Sequence, residues 1–178
     1  MASKFEELCS AYKTTRRNFF DYQDEATDFL KRAANQLATE WGLPSLRLVP
    51  LHKPVKEGTT YNASGAVHVD FATGTTTFHM GVSMTVYVDP QTHPQDNVVL
   101  RLSARREKGE WFLGCGGAQL KSVGSGKDPD RIRPVLDEFF KKLLADYPTD
   151  PESIGHQASA AEGRQIGFAY APEESAGR

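Results

Sequence analysis

The chain has 178 residues, 39% hydrophobic and 25% charged, which suits one domain able to bury a real core. Its 21 Lys and Arg against 23 Asp and Glu leave a formal net charge of −2. That balance removes the electrostatic basis of general nucleic-acid binding, so no nucleic-acid partner is expected. Two cysteines, Cys9 and Cys115, are too few for a disulfide framework. No apolar run approaches the ~20 residues of a membrane helix, and Met1 to Glu7 lacks the apolar centre of a signal peptide. Together these point to a cytoplasmic protein without a membrane partner.

The first forty residues read as helix. Ser3 and Glu6 have the spacing of a capping box, in which each side chain satisfies a free backbone N–H of the first turn. Phe5, Leu8, Cys9 and Tyr12 recur at helical spacing, and Cys9 is expected in the core. The polar run Thr14 to Asn18 interrupts this stripe without Gly or Pro, so a break and a continuous helix are both open. A second stripe follows in Phe19, Tyr22, Ala26, Phe29, Leu30, Ala33, Leu37 and Trp41, the pattern of a core-facing helix. Gly42 and Pro44 stop it.

The middle reads as strands. Residues 46–51 form a short candidate, and 53–62 a polar connection. From Ala63 the period changes to two, with Val67, Val69 and Phe71 alternating with Ala66, His68 and Asp70. After Gly74 the alternation resumes as Phe78, Met80, Val82, Met84, Val86 and Val88. A two-residue turn at Thr73 and Gly74 pairs Val69 with Phe78, Val67 with Met80 and Asp70 with Thr77. Apolar then meets apolar and polar meets polar, whereas a slip of one residue puts every side chain on the wrong face. A loop over 89–97 leads to a strand over 98–105, a turn at 106–109 and a returning strand over 110–115. Gly114, Gly116 and Gly117 around Cys115 mark a bend, and 118–123 holds one more short strand.

A last helix carries Ile132, Val135, Leu136, Phe139, Phe140, Leu143, Leu144 and Tyr147 as its apolar stripe. Pro134 is expected in its first turn, with Asp130 as N-cap. Residues 1–148 thus form a single α+β domain: an antiparallel β-meander of about 4–6 strands, with N-terminal helices and a C-terminal helix packed on one face. Residues 149–178 form an extended or disordered tail that carries −3 and leaves +1 on the body.

Few residues carry a chemical signature. The expected register sets His68 opposite His79, with Asp70 two positions along. Two imidazoles and a carboxylate can share a divalent metal, but no HExxH or CxxC spacing supplies further ligands. A solvated sheet face with two facing histidines is the simpler reading, and no metal or other cofactor is expected. Cys115 between glycines admits a nucleophile reading, yet no base is placed beside it and the catalytic residues stay unknown. Gly124, Ser125, Gly126 and Lys127 fall short of a phosphate loop and read as a flexible connector. Arg105, Arg106 and Lys108 beside Trp111 leave a small opening for base stacking.

Two classes of function remain. The first is a non-catalytic accessory protein that binds another protein chain: an adaptor, chaperone, inhibitor or small subunit of a complex, or a homo-oligomer. Ile166, Phe168 and Tyr170 alternate as an added edge strand requires, and are the expected partner-binding residues. The alternative is a small-molecule-binding or enzymatic domain with a pocket between sheet and helix, lined by Phe78, Met80 and Met84.

Overall fold

The computed structural model describes residues 3–51, 59–71, 75–89 and 92–145, with the backbone alone over 87–97. The chain order is α1 (Lys4–Glu40), β1 (Arg47–Val49), α2 (Ala63–Ala66), β2 (Val67–Asp70), β3 (Thr77–Asp89), β4 (Thr92–Glu107), β5 (Glu110–Cys115), β6 (Lys121–Ser122) and α3 (Pro129–Ala145). The strands form one antiparallel sheet in the order β1-β3-β4-β5-β6, and β2 pairs with β3 beside β1. This is the expected α+β architecture, with a long helix and a C-terminal helix set against an antiparallel sheet.

The hairpin register is the expected one. Val67 faces Met80, His68 faces His79, Val69 faces Phe78 and Asp70 faces Thr77. Phe78, Met80, Val82 and Met84 of β3 are buried with Val98, Leu100, Leu102 and Ala104 of β4. Alternation this strict leaves only one register in which both strands bury their apolar sets.

The N-terminal stretch is one unbroken helix of 37 residues, about 55 Å long at 1.5 Å per residue. The capping box forms: Ser3 N–H donates to Glu6 Oε2 at 2.7 Å, and Glu6 N–H to Ser3 Oγ at 3.2 Å. At the other end Gly42 takes φ +62°, and Leu43 N–H donates to Ala38 O, closing the helix as the sequence implies. Its second half lies on the sheet with Ala26, Phe29, Leu30, Ala33, Ala34 and Leu37 buried. Phe29 stacks on Trp111 with ring centroids 4.8 Å apart, and Tyr22 meets Phe78 edge-on at 4.9 Å.

Several boundaries differ from expectation. A single turn of helix, capped by Asn62 through its contact with Gly65 N–H, precedes β2 where alternation suggested strand from Ala63. Of the expected loop over 89–97, Asp89 ends β3 and residues 92–97 belong to β4, which pairs with β3 from Thr92 onward. Pro94 is tolerated there because β5 pairs only with Leu102–Glu107, so that stretch has a single ladder to keep. A two-residue turn joins β4 to β5, with Lys108 at φ 49° and Gly109 at φ 85°, the backbone a tight hairpin demands.

α3 starts two residues earlier than expected. Pro129 takes the first position, where a missing N–H costs nothing, and the Asp128 carboxylate caps Asp130 N–H at 3.0 Å. Asp130 is therefore inside the helix, and Pro134 sits beyond its first turn. Ile132, Leu136, Phe139 and Leu143 are buried on the inner face. Trp41 stacks on Phe139 at 5.9 Å and approaches Phe140 at 5.0 Å, while Glu40 accepts from Arg133 at 3.1 Å. Residues 146–178, including Tyr147 and the whole tail, lie outside the described residues.

Candidate interaction surface

The sheet face away from α1 holds the histidine pair. His79 is 8% exposed and Ser103 6%, and His79 Nδ1 lies 2.8 Å from Ser103 Oγ. Arg101 Nε also reaches Ser103 Oγ, at 3.5 Å. Burial, then the nearby Arg101 charge, pushes the His79 pKa down to about 4, against a weaker upward pull from Asp70. The ring is therefore neutral at physiological pH. A serine hydroxyl at this distance from an imidazole has the spacing of a nucleophile and base, but both side chains are covered. The pair thus works as a polar peg in the sheet. His68 faces His79 in register, yet among the described residues no three His, Cys, Asp or Glu side chains gather as a metal requires.

Cys115 is buried on the core side, where loss of solvation raises its thiol pKa to about 12. The thiolate needed for attack is absent at any physiological pH. The neighbouring glycines serve packing: a Cβ at residue 116 would lie 2.4 Å from the Phe139 ring. Space beside Cys115, Gly114, Val135 and Phe139 amounts to about 10 Å³, the size of one water.

The glycine-rich segment before α3 is not a loose connector. Trp111 N–H donates to Gly124 O at 2.7 Å, and Val123 N–H to Trp111 O at 2.8 Å. Gly126, at φ +67°, lies so close to the core that an added Cβ would come within 2.7 Å of the Phe29 ring. The segment closes the end of the core over the Phe29–Trp111 stack. Trp111 is buried in that stack, so it offers no face to a nucleic-acid base. Arg106 is engaged as well, with Glu25 and over the rings of Tyr22 and Trp111.

The first half of α1 is where the structure departs most from expectation. Every residue from Ser3 to Asn18 is exposed, Cys9 included, so about 22 Å of helix projects beyond the sheet. Phe5, Leu8 and Tyr12 lie on one face and are 72%, 66% and 66% exposed. That face continues the buried one: Phe5, Tyr12, Phe19, Ala26 and Ala33 follow at steps of seven, drifting slowly around the helix. Contact with the body begins at Phe19, 5.7 Å from Phe71, and is secured by Tyr22, whose hydroxyl accepts from Arg106 N–H at 2.9 Å. Phe71, which continues the apolar alternation of Val67 and Val69, is 64% exposed at the foot of the arm, where Phe19 also meets Phe20, itself 47% exposed.

The sequence carried one sign of this arm. Thr15 and Arg16 occupy the positions where the stripe would otherwise continue, which suits a helix face that no core covers. Ile166, Phe168 and Tyr170, the expected partner-binding residues, lie outside the described residues. Among the described residues no helix is long and apolar enough to cross a membrane. Comparison with family models, curated proteins and solved structures finds no match.

Proposed function

We propose that this chain is a non-catalytic accessory protein that binds another chain through the projecting half of α1. The observation that carries the reading is the exposed stripe of Phe5, Leu8 and Tyr12 on an arm about 22 Å long. Large apolar side chains aligned on one helix face are the material of helix-in-groove and helix-on-helix recognition. The rigid body behind the arm, with α1 clamped by Tyr22, Phe29 and Leu30, fixes the direction in which the stripe is presented. The residues that would line a ligand pocket, Phe78, Met80 and Met84, have an ordinary role as packed core. A reducing setting such as the cytoplasm fits the free thiols of Cys9 and Cys115.

The test is the double variant Leu8→Glu/Tyr12→Glu together with a photo-crosslinking residue at position 5. Neither side chain supports the body, so the melting temperature stays within ~1 °C of wild type. Crosslinked adducts formed in the native host are lost in the variant. Adducts formed equally by wild type and variant would overturn the reading.

A further inference from the structure

From the vacant edge of β4 and the place where α3 ends, we infer that residues 166–170 add a further strand to the body's own sheet, antiparallel to β4 over residues 96–100. The inference goes beyond the proposed function and uses no residue of the arm. β4 is much longer than the strand beside it: β5 pairs with Leu102–Glu107, and Gly116 N–H donates to Arg101 O at 2.8 Å. From Thr92 to Leu100, β4 has β3 on one side and, among the described residues, no strand on the other. Backbone groups alternate sides along a strand. With Arg101 facing β5, those of Val99, Asn97 and Gln95 therefore point out of the free edge. Such a row takes up either water or another strand.

The side chains of this stretch continue the core. Val98 and Leu100 are buried on the face that carries the helices, opposite Met84 and Val82 of β3. A strand that fits here brings apolar side chains at alternate positions, with small ones between. Residues 166–170, which lie outside the described residues, read Ile, Gly, Phe, Ala, Tyr. Setting Ile166 opposite Leu100 and Phe168 opposite Val98 extends the apolar layer, while Gly167 and Ala169 pass Val99 and Asn97 on the outer face. A shift of two residues toward Leu102 runs into Cys115 of β5, and a slip of one turns Phe168 outward.

The path of the chain delivers the segment to this edge. α3 tracks β5 from start to end: Gly124, bonded to Trp111, lies against Arg131, Lys121 pairs with Glu138, and Phe139 sits over Gly116. Ala145 is about 9 Å further along the helix than Phe139, so α3 ends beyond β5, where β4 runs on alone. Residues 146–165 span up to about 65 Å when extended, ample for a return to Leu100. Docked there, the segment closes an edge otherwise open to a strand of another chain.

Disulfide trapping in the full chain tests both the strand and its register. In Cys9→Ser/Val99→Cys/Gly167→Cys the two new thiols are directly opposite, with Cα atoms about 5.5 Å apart, within reach of a disulfide. In Cys9→Ser/Val99→Cys/Ala171→Cys the second thiol lies on the same face about 13 Å further along. In a glutathione buffer the first variant should close an intramolecular disulfide at least ~10-fold more than the second, while buried Cys115 stays reduced. In wild type, hydrogen exchange at the amides of Asn97 and Val99 should be at least ~10-fold slower than in Phe168→Asp. Equal closure in both cysteine variants, closure in neither, or a disulfide between two molecules would each overturn the inference. Amides that exchange alike in wild type and Phe168→Asp would do the same. None of these results touches the arm, whose crosslinks at position 5 are read separately.

Discussion

Acidification should weaken the fold through His79 in particular. Its pKa is lowered from 6.5 to about 4 by burial and by Arg101, so the folded protein holds the ring neutral where an unfolded chain would protonate it. Above pH ~6.5 both states are neutral and the full stability is present. As pH falls from there to about 4, only the unfolded chain gains the proton, and stability is lost through that window. A shift of 2.5 pH units corresponds to at most ~3.4 kcal/mol. The ring lies on a polar sheet face beside Arg101 and Ser103 rather than in a dry core, and solvent screening there reduces the loss to about 1–2 kcal/mol. That corresponds to about 4–8 °C in melting temperature for a body of this size. Urea denaturation of wild type and His79→Gln at steps from pH 7.5 to 4.5 isolates the effect, because the carboxylates titrate alike in both. The wild-type curve should fall more steeply, with the excess slope confined to that window. Parallel curves would show that His79 pays no penalty for charging.

Met80 is fully buried opposite Val67, so Met80→Asp should leave no cooperative thermal transition by circular dichroism; a wild-type transition would put the wrong sheet face inside. Phe139 joins α3 to Trp41 and fills the space above Gly116, and Phe139→Ala should cost about 3–5 kcal/mol by chemical denaturation. Gly126→Ala combines a positive φ with a clash against Phe29, and should cost more than ~1 kcal/mol in the same assay; an unchanged midpoint would show that the segment gives way. Deleting residues 149–178 tests whether Ile166, Phe168 and Tyr170 dock as an extended strand. A lower melting temperature places the strand on its own body, a lower sedimenting mass places it on another chain, and no change in either ends the idea.

Much of the architecture was legible because local rules and tertiary packing agree. Period-two alternation in Val67–Asp70 and Thr77–Met84 admits one register, and the structure adopts it. The helix ends at Ser3 and Gly42 follow from backbone groups that only those residues satisfy or permit. Where a local rule admitted two answers, packing chose. Pro134 allowed a first-turn position, yet Pro129 at the first helical position and the Asp128 cap start α3 two residues earlier.

The candidate surface was hidden for a related reason. Apolar spacing shows which side chains can share a face, but not how far a sheet extends to cover that face. Phe5, Leu8 and Tyr12 have the same spacing as Ala26, Phe29 and Ala33, so by sequence alone both stretches read as core. The sheet ends near Phe19, and α1 runs on past it, leaving one set in water and the other fully buried. His79 shows the converse: alternation put it on the face away from α1, while Ser103, two strands of backbone and Arg101 decided that it is buried and uncharged. Periodicity in the sequence determined the helices, the strands and their register; the reach of the sheet, a property of the assembled body, decided which apolar face is core and which stays exposed.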